Sequence, residues 1–216
     1  TGVQTCALPI FFMGGRVIPF FTESSIARRQ PRTSKIVEAL SHFTAWTFLI
    51  SSFFVKESVL CATIAFAATF VHLMRLWRWQ VPRVRKIPII WVLHIAYLWI
   101  VFGFFLSGLA SLGVVRSGDA VHAFAIGGIG VMTYGMMSRV SLGHTGRALR
   151  PHVGIIIGYY LLSLSALFRV LGPLSYASAY NYWILLSGSL WIFAFILFVI
   201  IYLPILITSR VDGRPG

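Results

Sequence analysis

The sequence predicts an all-α fold, a polytopic transmembrane helix bundle of about six spans, and three observations predict it. The 216 residues are 58% hydrophobic and 11% charged, with a mean hydropathy of +0.85, a composition far from that of soluble globular domains. Six apolar stretches, near 36–54, 58–75, 88–112, 120–138, 153–172 and 183–207, are each long enough for a helix crossing about 30 Å of hydrocarbon. They are apolar on all sides, whereas the strands of a membrane barrel alternate in polarity over short segments.

The third observation is where the basic residues fall. The formal net charge is +13, but Lys and Arg sit in alternate loops. Arg16, Arg28, Arg29, Arg32 and Lys35 share one side with Arg75, Arg78, Arg83, Arg85 and Lys86, then Arg139, Arg147 and Arg150, then Arg210 and Arg214: fifteen of the 18. Lys56, Arg116 and Arg169 face the other way. The positive-inside rule makes the crowded side cytoplasmic, with both ends of the six-span unit inside. The basic excess therefore reports topology and attraction to anionic lipid, and the expected partner is the bilayer, not nucleic acid. Cys6 and Cys61 form neither a disulfide framework nor a CxxCH haem attachment.

Taken in order, residues 1–10, TGVQTCALPI, lack both the basic start of a signal peptide and the length of a span. They are expected to be a non-native junction, with 11–216 as a single helical domain. The apolar FFMGG that follows reads as the remnant of an interrupted helix, and the chain as a fragment lacking an N-terminal part. GGRVIPFFTESS reads as a helix end leaving the membrane, with Arg16 at the headgroups and Pro19 as breaker. The first span carries Glu38 and His42, an i, i+4 pair able to hold the imidazole's second nitrogen.

The second span ends in HLMRLWRW, where His72, Arg75 and Trp79 share one helical stripe and Trp77 and Trp79 suit the interfacial aromatic belt. The third opens with IPIIWVLHIAYLW, which puts His94 and Tyr97 on one face. At 1.5 Å per residue His42 and His94 lie about 9 Å inside the cytoplasmic boundary and His72 about 4 Å, one layer on three successive helices, with His144 just outside it. The fourth span has small residues at Ala123, Gly127 and Gly130 for close packing or a flat cofactor. Its Met132, Met136 and Met137 are packing residues or soft copper ligands. His122, Asp119, Arg116 and Arg169 mark the outer mouth, as a polar site or a solvated loop. Tyr159, Tyr160, Tyr176, Tyr180, Tyr182 and Trp183 read as interfacial aromatics, and Pro204 should kink or end the last span. RVSLGHTGR gathers Arg139, His144 and Arg147 where the fourth span leaves the membrane, with Gly143 and Gly146 allowing a sharp bend.

The chemistry available is narrow. The five acids, Glu23, Glu38, Glu57, Asp119 and Asp212, all lie away from mid-bilayer, so a carboxylate proton relay is poorly supported. Paired catalytic carboxylates and a Ser/His/Asp constellation are absent. What remains is imidazole at membrane depth with arginines close by. Neutral imidazole binds copper, zinc and haem iron, and interfacial arginines suit haem propionates.

At RVSLGHTGRALRP and the preceding HAFAIGGIGVMTYGMMSRV, together with GGRVIPFFT, HLMRLWRW and HIAYLW in the same order, the sequence resembles the NnrS family of bacterial membrane proteins over essentially residues 11–210. The resemblance implies a protein of about twelve helices of which this chain is the C-terminal half, containing haem b and copper, and linked to nitric oxide metabolism and resistance to nitrosative stress. It also implies His42, His72, His94, His122 and His144 as candidate metal ligands. Arg75, Tyr97, Arg139 and Arg147 are then candidate cofactor-binding residues, and nitric oxide or iron–nitrosyl species and the missing N-terminal half candidate partners. The competing expectation is half of a transporter or channel-like protein whose histidines line a path.

Overall fold

The computed structural model describes residues 14–25, 34–79 and 84–213. Among these every regular element is helical. Residues 14–25 form α1, followed by α2 (Lys35–Phe54), α3 (Val59–Arg78) and α4 (Pro88–Ser111). Helix α5 runs from Ser117 to His144, with a π-helical stretch over Ala123–Gly130 between two α-helical parts. Then come α6 (Val153–Ser175) and α7 (Tyr180–Ile207). The expected spans match α2 to α7 to within a few residues, except that α5 extends to His144, beyond the 138 expected. Helices α3 to α7 are long and apolar enough to cross a membrane. Helix α2 has the length, 20 residues, and its apolar character is diluted by Lys35, Glu38, His42 and a run of serines and threonines.

Local chemistry sets the boundaries. The Ser58 hydroxyl accepts from the Cys61 amide at 3.1 Å and caps α3. Pro88 opens α4, where its missing N–H costs nothing. Helix α5 ends at Gly146, whose φ of 71° is left-handed and whose neighbour Arg147 returns its amide to Leu142 at 2.9 Å. His152, set apart in the sequence only by its basic loop, caps α6 by accepting the Gly154 amide on Nδ1 at 3.1 Å. Pro204 lies inside the last turn of α7, which stops three residues later.

Helix α4 is the centre, packed against α3, α5 and α6. The π-helical stretch of α5 lies along it through small residues. A Cβ on Gly127 would stand 2.4 Å from Trp99, one on Gly128 2.8 Å from Ile100, and one on Gly103 of α4 2.7 Å from Phe124. The expected close-packing face over Ala123 and Gly127 is thus built against α4, while Gly130 has only ordinary contacts. The π-helical widening itself has no signature in the periodicity of the sequence.

Candidate functional site

The GG, HLMRLWRW and HIAYLW motifs meet at one place. Arg75, in the last turn of α3, is 1% exposed, and a buried guanidinium needs partners. Its Nε donates to Glu38 Oε1 of α2 at 3.0 Å, and its Nη2 makes a short bond to Glu38 Oε2. Its Nη1 donates to the Tyr97 hydroxyl of α4 at 3.1 Å. That hydroxyl also meets His72 Nδ1 at 2.5 Å. The rings of Trp79 and Tyr97 lie 5.4 and 5.9 Å from the guanidinium carbon, close enough for cation–π attraction. From α1, Gly15 closes the other side, with room for no side chain: a Cβ there would stand 1.8 Å from Arg75 Nη2. Four helices therefore converge on one buried cation, and Glu38, a quarter exposed, joins it to the surface of the bundle.

This arrangement differs from the sequence reading in two respects. Glu38, paired in the sequence with His42 alone, takes Arg75 as a partner, because the guanidinium offers two donors to its two oxygens. His42 is half-buried and lies within electrostatic reach of both Arg75 and Glu38. Trp79 is not part of the aromatic belt. It is 3% exposed and packs tilted against Tyr97 with ring centroids 4.5 Å apart, whereas Trp77 is 85% exposed and suits the belt. The i+7 step from His72 to Trp79 is the signal that sets the two apart. Gly15 is the residue that sequence reasoning missed.

His94 faces elsewhere. It is 3% exposed, meets Trp79 edge to face with centroids 6.3 Å apart, and shares Nδ1 with the Ile90 carbonyl at 3.1 Å. Its Nε2 is buried and closes no hydrogen bond, although the Trp79 backbone comes near the ring. A cavity of 310 Å³ adjoins it, walled by Leu76, Trp91, Leu98 and Tyr160, with Arg85 at its rim.

The remaining candidates stand apart from this centre. His122, at the outer end of α5, meets Arg169 Nη2 through its Nε2 at 3.0 Å. The buried Asp119 beside it accepts from Arg116 at 2.9 Å. The outer mouth is therefore an ordered polar cluster, next to a 630 Å³ cavity that Ser52, Lys56, Cys61 and Ser107 help to line. His144 is exposed at the end of α5. Arg147 donates to the Thr208 hydroxyl at 3.3 Å. Arg139 lies over the Phe21 ring of α1 at 3.7 Å, and none of its bonds reaches a histidine. Met132, Met136 and Met137 line an apolar cavity. Among the described residues, no three His, Cys, Asp or Glu side chains gather as ligands around one point.

Fold and site together define a polytopic helical membrane protein with a Glu–Arg–Tyr–His network at one end of its first helices. The model of the NnrS protein family matches residues 1–210, taking in the first ten residues as well, and the chain belongs to that family. No curated protein and no solved structure gave a match.

Proposed function

We propose that the protein binds haem in the bacterial inner membrane and acts in nitric oxide metabolism or resistance to nitrosative stress, with both ends of its helical unit on the cytoplasmic side. Family membership supports the biological role. The observation that carries the haem assignment is His94. With Nδ1–H donated to the Ile90 carbonyl, the ring is held in the tautomer that keeps the Nε2 lone pair for a metal, and among the described residues Nε2 closes no hydrogen bond, with only the Trp79 backbone near the ring. The adjoining cavity supplies apolar walls and one guanidinium, Arg85. A haem needs these three things: an axial imidazole, apolar faces and a cation for a propionate. When bound, the group would supply an iron able to take a diatomic ligand. The chain's own part is to fix the imidazole, keep water off it and hold the propionate charge.

Copper fits less well. With no three ligating side chains gathered among the described residues, copper stays what the family resemblance implies and is given no residues here. His72, whose Nδ1 is taken by Tyr97, and Tyr97 and Arg75 serve the proposal as the rigid wall behind Trp79, against which the His94 ring rests.

The test is the visible absorption spectrum and haem content of the purified protein and two variants. A Soret band is expected in the wild type and in His152→Ala, and its loss in His94→Ala. Full haem in His94→Ala refutes the ligand assignment, and a colourless wild type refutes the haem reading itself.

A further inference from the structure

A slot on the membrane face of the bundle has no place in the haem proposal. It is a cavity of 480 Å³ between α1, α5 and α7, and its occupant is indicated by its chemistry and its rim. The walls are apolar: Val17 and Ile18 of α1, Met132 and Met136 of α5, Phe198 and Leu206 of α7. Val140 and Leu206 at its edge are 46% and 53% exposed and lie on helices long and apolar enough to cross a membrane, a position in which the mouth of the slot faces lipid. Along α5 it runs from Met132 to Ser141, about 13 Å at 1.5 Å per residue. Methionines suit such a surface, because an unbranched, polarisable side chain adapts to a flexible guest.

At one end of the slot, Arg139 directly precedes Val140 and Ser141 of its lining. This residue is three positions after Met136 and seven after Met132, hence on the same helical stripe. Its guanidinium lies over Phe21 at 3.7 Å, and its Nη1 is buried without a hydrogen-bond partner among the described residues. Among the described residues no carboxylate closes on it. A half-buried guanidinium whose Nη1 is buried with its donor unmet favours an anion. A long apolar slot ending in a cation at headgroup depth has the shape and charge of one molecule. We propose that the slot and Arg139 form a binding site for an anionic phospholipid, its acyl chain lying along Met132 and Met136 and its phosphate taken by Arg139.

The full chain, purified in mild detergent and stripped of lipid, is titrated with phosphatidylglycerol or phosphatidylcholine and read by native mass spectrometry. Phosphatidylglycerol should bind about fivefold more tightly, the factor that one basic residue is worth at an anionic surface. Arg139→Gln should abolish this preference, and Met136→Trp, which fills the slot, should weaken both lipids. Arg150→Gln, an exposed cation off the stripe, should leave the preference intact. Inorganic phosphate should not compete, since it has no chain for the slot. The proposal is overturned if Arg139→Gln keeps the preference, if free phosphate displaces the lipid, or if Met136→Trp binds lipid as the wild type does. The last result would mean that protein, not lipid, covers the slot.

Discussion

Replacing Glu38 by Ala tests whether the four-helix network is a structural centre of the protein. The substitution removes both carboxylate oxygens from Arg75, whose side chain is 1% exposed, while Glu38 itself is 25% exposed. Breaking a buried ion pair from one side costs about 3–5 kcal/mol, because the remaining charge is left uncompensated. Here the lower end applies. Tyr97 still accepts from Nη1, the Trp79 and Tyr97 rings still face the cation, and a quarter-exposed position lets some water in. The expected loss is therefore about 3 kcal/mol in an unfolding titration in mixed micelles. Adding Arg75→Met to Glu38→Ala removes the stranded charge and should restore more than half of that loss. Arg75→Met alone should be milder than Glu38→Ala, since Glu38 can turn to the headgroup water. A loss below about 0.5 kcal/mol for Glu38→Ala, typical of an exposed surface site, would refute the reasoning. So would a double variant no more stable than Glu38→Ala.

Two further outcomes follow from the same geometry and from the charge pattern. Gly15→Ala puts a Cβ 1.8 Å from Arg75 Nη2, and because that guanidinium is pinned by Glu38 and Tyr97 the clash should cost about 2 kcal/mol. Gly188→Ala, whose Cβ would meet nothing within 4 Å, should be neutral or stabilising by up to about 1 kcal/mol through helix propensity, and the same titration compares them. Reporter fusions after Leu112 and after Arg150 should read periplasmic and cytoplasmic respectively, and reversed signals would overturn the orientation.

Much of the fold was legible because bilayer physics writes itself into composition: the length and all-round apolarity of α3 to α7 leave few alternatives to spanning helices. The site was legible in part. The stripe of His72, Arg75 and Trp79 placed three of its members on one face, and the shared depth of His42, His72 and His94 pointed to the right layer. What the sequence could not supply was rotation about the helix axes. His94 and Tyr97 are three residues apart and face one way by spacing, yet Tyr97 reaches Arg75 while His94 borders a separate cavity. The partner of Glu38 was equally hidden, since it sits 37 positions along the chain. The role of Gly15 shows only once a side chain from another helix is found filling the space above it. For Arg139 the sequence offered cationic charge near His144, and the structure turns it over Phe21 instead.

The competing view, of a histidine-lined path through the bilayer, depends on polar groups following one another across it, and the order of residues along three helices bears on that directly. On α2 the polar Glu38, Ser41 and His42 give way to Ala45 and Phe48 before Ser52. On α3, read toward the same side, Arg75 and His72 give way to Ala68 and Ala65 before Cys61. On α4, Tyr97 gives way to Val101 and Phe104 before Ser107. The intervening residues are all buried, and their rings close on one another. Phe104 stacks on His72 with centroids 5.0 Å apart, meets Phe48 edge to face at 5.2 Å and Phe124 at 5.3 Å. Gly103 gives Phe124 the space to do so. From Tyr97 to Ser107 the step is ten residues, about 15 Å of helix, with no polar side chain facing the interior among these positions. A charge crossing that layer would shed its hydration with nothing to replace it. The inner network and the outer cavity at His122 are thus two separate polar compartments. Such a division leaves a path between α2, α3 and α4 without a polar middle among the described residues.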